Sequence, residues 1–277
     1  MTAAAAVTTV VPPPAGAFVT HESFDRNKFS NSATIDNRFL PLTPGTESTL
    51  DGAITSKDGS TPHRVVVTVS DVTKTIDGVR TLVVWERDVS DGAVVEEELA
   101  FVAQDDDGTV WNLGEYPEEY ENGKFTGAPN TWIPGSEGAK AGIAMQAVPE
   151  VGTPSYLQGY APKIKFEDRA QVSKANQKTC VRAGCYQDVL VIDEWNPNEQ
   201  PQDGHQLKYH APGVGVVRVQ AQGGEEQENL ELIQVRHLST DEMAKARDRV
   251  LELDKRAYQE AKSAYGKTPP AQPMTQP

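Results

Sequence analysis

The 277-residue chain carries 40 Asp+Glu against 26 Lys+Arg, a formal net charge of -14, and 38% hydrophobic residues. So acidic a chain repels phosphate backbones and anionic headgroups, which argues against nucleic acid as a partner. No uninterrupted apolar run approaches the roughly 18 residues that a transmembrane helix requires, so the chain is read as not membrane-spanning, and its length fits one main domain with tails.

The chain opens with "MTAAAAVTTVVPPPAGAF", small apolar residues without the basic start of a secretory signal. Residues 1–32 therefore read as a signal-peptide remnant or as a disordered Ala/Pro-rich arm. Export to an extracellular or periplasmic setting is the preferred reading, with a cytoplasmic protein as the alternative. The two cysteines, Cys180 and Cys185 in "TCVRAGCY", are too few for a zinc site and lack the C-x-x-C spacing. A disulfide closing a loop tip is the leading expectation, and two reduced thiols are the other.

Residues 33–238 read as an antiparallel all-β domain. "PHRVVVTVSDVTK", "VRTLVVWERDVS", "AVVEEELAFVAQ" and "TVWNLGEY" are short β-branched runs separated by Asp-Gly turns, a strong hairpin signal. Residues 125–162 are rich in Gly and Pro with little alternation, and are expected to be a long irregular element covering part of the sheet. "CYQDVLVIDEW", "HQLKYHA", "GVVRVQAQ" and "ENLELIQVRHL" resume the pattern, for on the order of ten or more strands. Twist curls so long a meander into a half-barrel, barrel or sandwich, whose concave face is the natural place for a ligand. A C-terminal α-helix over 239–266 follows, with Ser239 and Glu242 as a capping box and a stripe of Met243, Ala246, Val250, Leu253, Ala257 and Ala264. The Pro-rich residues 267–277 read as a disordered tail.

Several stretches, "NRFLPLTPGTESTLDG", "FVAQDDDGTVWNLGEYPEEYENGK", "GSEGAKAGIAM", "VIDEWNP" and "KYHAPGVGVV", resemble a group of uncharacterised bacterial β-rich proteins, often exported or lipoprotein-like. The resemblance implies a curved antiparallel sheet and, in most such proteins, a signal peptide. It implies no reaction and no ligand.

Strict alternation puts Trp111, Leu113 and Glu115 on one face, Leu190, Ile192 and Glu194 on another, and Gln206, Lys208 and His210 on a third. Glu115, Glu194 and His210 would make an acid–base or metal-binding set if they converged, since burial and like charge raise a carboxyl toward neutrality. The competing reading leaves both carboxylates solvated or paired at strand ends. Glu118, Glu119 and Glu121 read as solvated charges beside the Asn122-Gly123 turn. "QDDDGTVW" lacks the remaining ligands of a calcium loop, and no H-x-H or H-E-x-x-H spacing occurs, so no metal is expected. G-x-S-x-G, P-loop and dinucleotide fingerprints are absent, and no cofactor is expected.

Trp111, Tyr120, Trp132, Met145, Tyr156 and Tyr160 concentrate around the irregular segment and suit the wall of a ligand pocket or, more simply, a core under a loop. The preferred function is therefore non-catalytic binding of a small, hydrophobic or lipid-like ligand. A hydrolase or lyase using Glu115, Glu194 and His210 is one alternative. An interaction protein working through the C-terminal helix is another.

Overall fold

The structure is a computed structural model that describes residues 23–198 and 204–274. The expected signal remnant falls mainly on residues outside that range, as do 275–277 of the expected tail.

Five long strands open the fold: β1 (Thr46–Ser56), β2 (Gly59–Ile76), β3 (Val79–Ser90), β4 (Ala93–Gln104) and β5 (Val110–Glu121). The Asp-Gly pairs between β2 and β3 and between β3 and β4 form two-residue turns, with Asp77 at φ 48 and Asp91 at φ 49. Asn122, at φ 51, makes the same turn into the short β6 (Lys124–Gly127). These are the left-handed conformations that tight hairpins demand and that Asp, Asn and Gly adopt most easily. Next come β7 (Lys140–Met145), β8 (Tyr156–Ala161), β9 (Phe166–Val181), β10 (Gly184–Trp195), β11 (His205–Ala211), β12 (Gly215–Gln222) and β13 (Gln227–His237). Every ladder is antiparallel, and β1 pairs with both β2 and β13, so twelve strands close into a barrel with β6 hanging from β5. Closure removes the exposed edges that an open sheet would present. At this strand number the wall is too wide for its own side chains to fill the inside.

The segment 125–162 is not a cover over a concave face. Its strands β7 and β8 are part of the wall, between β5 and β9. Glycine hides them in the sequence and is required there by packing: a Cβ at Gly142 would lie 2.1 Å from the carbonyl carbon of Gln158 on the neighbouring strand. Cys180 and Cys185 face each other across the β9–β10 hairpin and are joined as a disulfide.

After β13, α1 (Thr240–Glu260) starts at a capping box in which Ser239 Oγ accepts from Glu242 N and Ser239 N donates to Glu242. The short α2 (Lys262–Tyr265) follows. The stripe of α1 lies on the outside of the barrel, where Val250, Leu253 and Ala257 pack with Val83, Leu99, Phe101, Leu113 and Tyr116. Its apolar face is thus covered by the protein itself. A buried ion pair, Lys74 Nζ to Asp254 Oδ1 at 2.8 Å, ties β2 to the helix. Tyr265 Oη donates to the same carboxylate at 2.6 Å and Ala271 N at 3.0 Å.

Those last contacts correct the expectation of a disordered tail over 267–274. Ala271 is buried, and β14 (Gln272–Pro273) pairs with β2. At the other end, Phe24 and Phe29 pack on Trp111, so residues 23–32 are not a free arm.

Candidate functional site

Two β-bulges decide which acidic side chains of β3, β4 and β5 enter the barrel. In the β3–β4 hairpin the register slips between Asp88 and Val89. Without that slip the two-residue turn would set Glu97 opposite Glu86. With it, Glu86 faces Glu98 and Asp88 faces Glu96. In β5, Gly114 at φ 118 breaks the alternation, and a Cβ there would come 2.6 Å from the Trp132 carbonyl oxygen. Trp111, Leu113 and Tyr116 consequently point outward into the helix-covered core, while Asn112 and Glu115 both point inward. The expectation that Glu115 shares a face with Trp111 and Leu113 is therefore corrected.

The inward side chains enclose a cavity of about 420 Å³, within the usual range for small-molecule pockets. One part of its wall is apolar, built by Leu50, Val65, Val67, Val69, Val84 and Leu230. Another part is acidic, with Glu86, Asp88, Glu96, Glu98 and Glu115 from three adjacent strands. A third part holds Gln158, Glu194, Gln206, Lys208 and His210.

Electrostatics differ sharply across this wall. Residues directly opposite on neighbouring strands have Cβ atoms roughly 5 Å apart, and like charges in that relation repel. Burial pushes the Glu86 carboxyl up to about 7, with Asp88 adding to the effect. Glu96 also rises to about 7, from burial first and then Asp88. Glu98 goes well above the ordinary carboxylate value through burial, Glu115 and Glu86. These groups lie deep in the protein volume and still keep accessible surface, because that surface is the cavity wall. Among the described residues, no hydrogen bond or ion pair reaches the carboxylates of Glu86, Glu96 or Glu98.

Their neighbours are better served. Glu115 is raised by burial, against which Trp132 Nε1 at 2.9 Å and Asn112 Nδ2 at 2.6 Å donate to it. Asp88 and Glu228 share the buried His63, whose Nε2 lies 3.6 and 3.1 Å from them; Asp88 and then Glu228 hold that imidazole up at about 9. Glu194 takes Lys208 Nζ at 2.6 Å and Gln158 Nε2 at 3.2 Å. Burial disfavours the Lys208 charge, but Glu194 outweighs it and the ammonium is held above its ordinary value.

His210 is 4% exposed. Its Nδ1 lies 3.1 Å from the Phe39 carbonyl oxygen, so that nitrogen carries the proton. Burial lowers its pKa to about 4, leaving a neutral ring whose Nε2 lone pair has no partner among the described residues. Gln158 Oε1 is likewise unpartnered. No three His, Cys, Asp or Glu side chains among the described residues stand close enough to hold a metal ion.

Of the residues singled out by sequence, Glu115, Glu194 and His210 line one cavity. The six aromatic and Met positions do not. Trp111 lies outside the wall and donates to Asp105, and Tyr120 is outside with Phe125. Trp132 packs against Phe166 in a tilted pair and donates to Glu115, Met145 and Tyr156 belong to the internal core, and Tyr160 is half-buried on β8. Glu118 is fully buried, not solvated: Tyr116 and Tyr120 hydroxyls donate to it at 2.7 and 2.6 Å, and Arg256 pairs with it at 2.7 Å. Glu86, Asp88, Glu96 and Glu98 were legible only as acidic alternation on two hairpin arms, and the bulge that aligns them leaves no sequence signal.

No protein-family model matches the chain, and no curated protein matches it significantly. Two solved structures are similar. A "putative lipoprotein" from Parabacteroides distasonis ATCC 8503 is 14% identical with a TM-score of 0.42, over 72% of this chain and 99% of that one. A "putative exported protein with YmcC-like fold" from Bacteroides fragilis NCTC 9343 is 14% identical with a TM-score of 0.38, over the same 72% and 99%.

Proposed function

We propose that the barrel binds a small ligand with an apolar body inside its lumen and does not transform it. The observation that carries this reading is the cavity of about 420 Å³ enclosed by the closed wall and floored on one side by branched aliphatic side chains. Apolar concave surface with a few convergent polar groups is what small-molecule sites share. The cross-hairpin disulfide supports an oxidising setting, extracellular or periplasmic, where such bonds persist.

A fluorescence titration tests the binding reading. N-phenyl-1-naphthylamine brightens on entering apolar sites; its signal is expected to rise with the protein and to be lost in Val67→Trp, which fills the lumen. No rise, or a rise unchanged by Val67→Trp, overturns it.

The convergence of Glu115, Glu194 and His210 favours a second reading, acid–base catalysis on a lumenal substrate. Glu115 and Glu194 are already held by protein donors, which supports the binding reading over it, while His210 keeps its Nε2 lone pair open. Retained turnover of any lumenal ligand that disappears in both Glu115→Gln and Glu194→Gln would reverse that order.

A further inference from the structure

The lumen's unpartnered polar groups share one property beyond their position. Among the described residues Glu86, Glu96 and Glu98 are acceptors with no hydrogen-bond or ion-pair partner; Glu86 faces Glu98 across β3 and β4, and Glu96, on the same strand as Glu98, faces Asp88. His210 Nε2 is an acceptor, because its other nitrogen donates to Phe39, and Gln158 Oε1 is an acceptor, because its amide nitrogen donates to Glu194. Both of those side chains are more than nine-tenths buried and line the same cavity. A buried acceptor without a donor is unfavourable in the empty protein and is relieved by a ligand that brings one. The charge points the same way. Lys208 is engaged by Glu194 and His63 by Asp88 and Glu228, which among the described residues leaves three carboxylates without an ion-pair partner beside an aliphatic wall.

Resting on the lumenal-binding reading above, we infer that the ligand is an amphipathic organic cation: a protonated amine on an apolar body, its N–H donors toward Glu86, Glu96 and Glu98. An ammonium has donors only, so above about pH 7, where Glu86 and Glu96 are ionised, it satisfies unpartnered acceptors that a hydroxyl satisfies in part and a carboxylate opposes. The aliphatic residues take the hydrocarbon, which gives the ligand one orientation.

Octylamine, octan-1-ol and octanoate, of equal chain length, are competed against N-phenyl-1-naphthylamine at about pH 8, where octylamine is protonated as a lysine amine would be. Octylamine is expected to displace the probe at about tenfold lower concentration than octan-1-ol, a ratio that one charge-assisted contact supplies, with octanoate the weakest. Glu98→Gln and Glu86→Gln are each expected to shrink the amine-to-alcohol ratio severalfold. Both keep the side chain's shape and remove a repulsion, and circular dichroism checks that they fold. Equal displacement by amine and alcohol, or a ratio undiminished in both variants, overturns the cationic ligand while leaving lumenal binding in place. Absence of probe binding by the native protein overturns both.

Discussion

Strands β4 and β5 carry carboxylates on both faces, and the two faces treat them in opposite ways. Outward, Glu97 lies opposite Glu118, a like-charge pair as unfavourable on its own as any in the lumen. Helix α1 answers it: Arg249 pairs with Glu97 and Arg256 with Glu118, from positions seven residues apart on one helix face. Inward, Glu86 lies opposite Glu98, and among the described residues no cation pairs with either, Lys208 acting on Glu86 only through space while it pairs with Glu194. The outer pair is closed into structure. The inner one is open to whatever enters the cavity. A carboxylate's role here is set by the face it occupies, not by its neighbours in sequence.

The outer face should yield the largest effects when broken. Lys74→Met leaves Asp254 buried without its cation and is expected to cost about 3–5 kcal/mol in urea unfolding. Glu118→Gln, which weakens the contacts from Tyr116, Tyr120 and Arg256, is expected to cost about 2 kcal/mol in the same measurement. The identical change at the inner face should reverse the sign. Glu98→Gln removes an acid that faces Glu86 and is held well above the ordinary carboxylate value, and it is expected to stabilise the ligand-free protein by about 0.5–1 kcal/mol at a pH where both carboxyls are ionised. A loss of stability in Glu98→Gln would mean that the inner carboxylates have structural partners after all.

The pH dependence sharpens the same contrast. Glu86 and Glu96, at about 7 each, sit above their unfolded values, so their contribution to stability is complete below the unfolded carboxylate range and falls away as pH rises through about 7. The stabilisation by Glu98→Gln should therefore shrink as pH is lowered to about 5, where its neighbours are protonated. Octylamine affinity should run the other way, highest above about 7 and falling below it as Glu86 and Glu96 take up protons. The other charged groups facing them are Asp88, Glu98, Glu115, Glu119 and Lys208. Lys208 stays charged through this window, as does His63 at about 9 until higher pH, while His210 at about 4 stays neutral. An affinity flat between about pH 5 and pH 8 would separate ligand binding from these carboxylates.

Local signals carried much of the architecture. Asp77-Gly78, Asp91-Gly92 and Asn122-Gly123 are hairpin turns because few other pairs accept two left-handed residues in a row. The capping box at Ser239 and Glu242 marks the start of α1 for a similarly short-range reason. On β10 and β11, unbroken alternation was enough to set Glu194 with Leu190 and Ile192, and His210 with Lys208 and Gln206. Where alternation broke, inference from sequence failed. Nothing around Gly114 announces that Glu115 will leave the face of Trp111, and nothing in "AVVEEELAF" tells which of Glu96, Glu97 and Glu98 points inward. The aromatics misled for a related reason: a large apolar ring serves a core as well as a pocket, and here the helix outside the wall and the clusters inside it absorbed them.

The sequence by itself thus determined an acidic, hairpin-built β protein ending in a capped helix, because turns, caps and strand period are properties of neighbouring residues. Only the tertiary structure decided that the meander closes through β1 and β13, that bulges gather the carboxylates of β3, β4 and β5 on the inside, and that arginines of α1 neutralise those on the outside. Closure and register depend on contacts between residues far apart in the chain. A shift of one position moves a side chain from one face of a strand to the other.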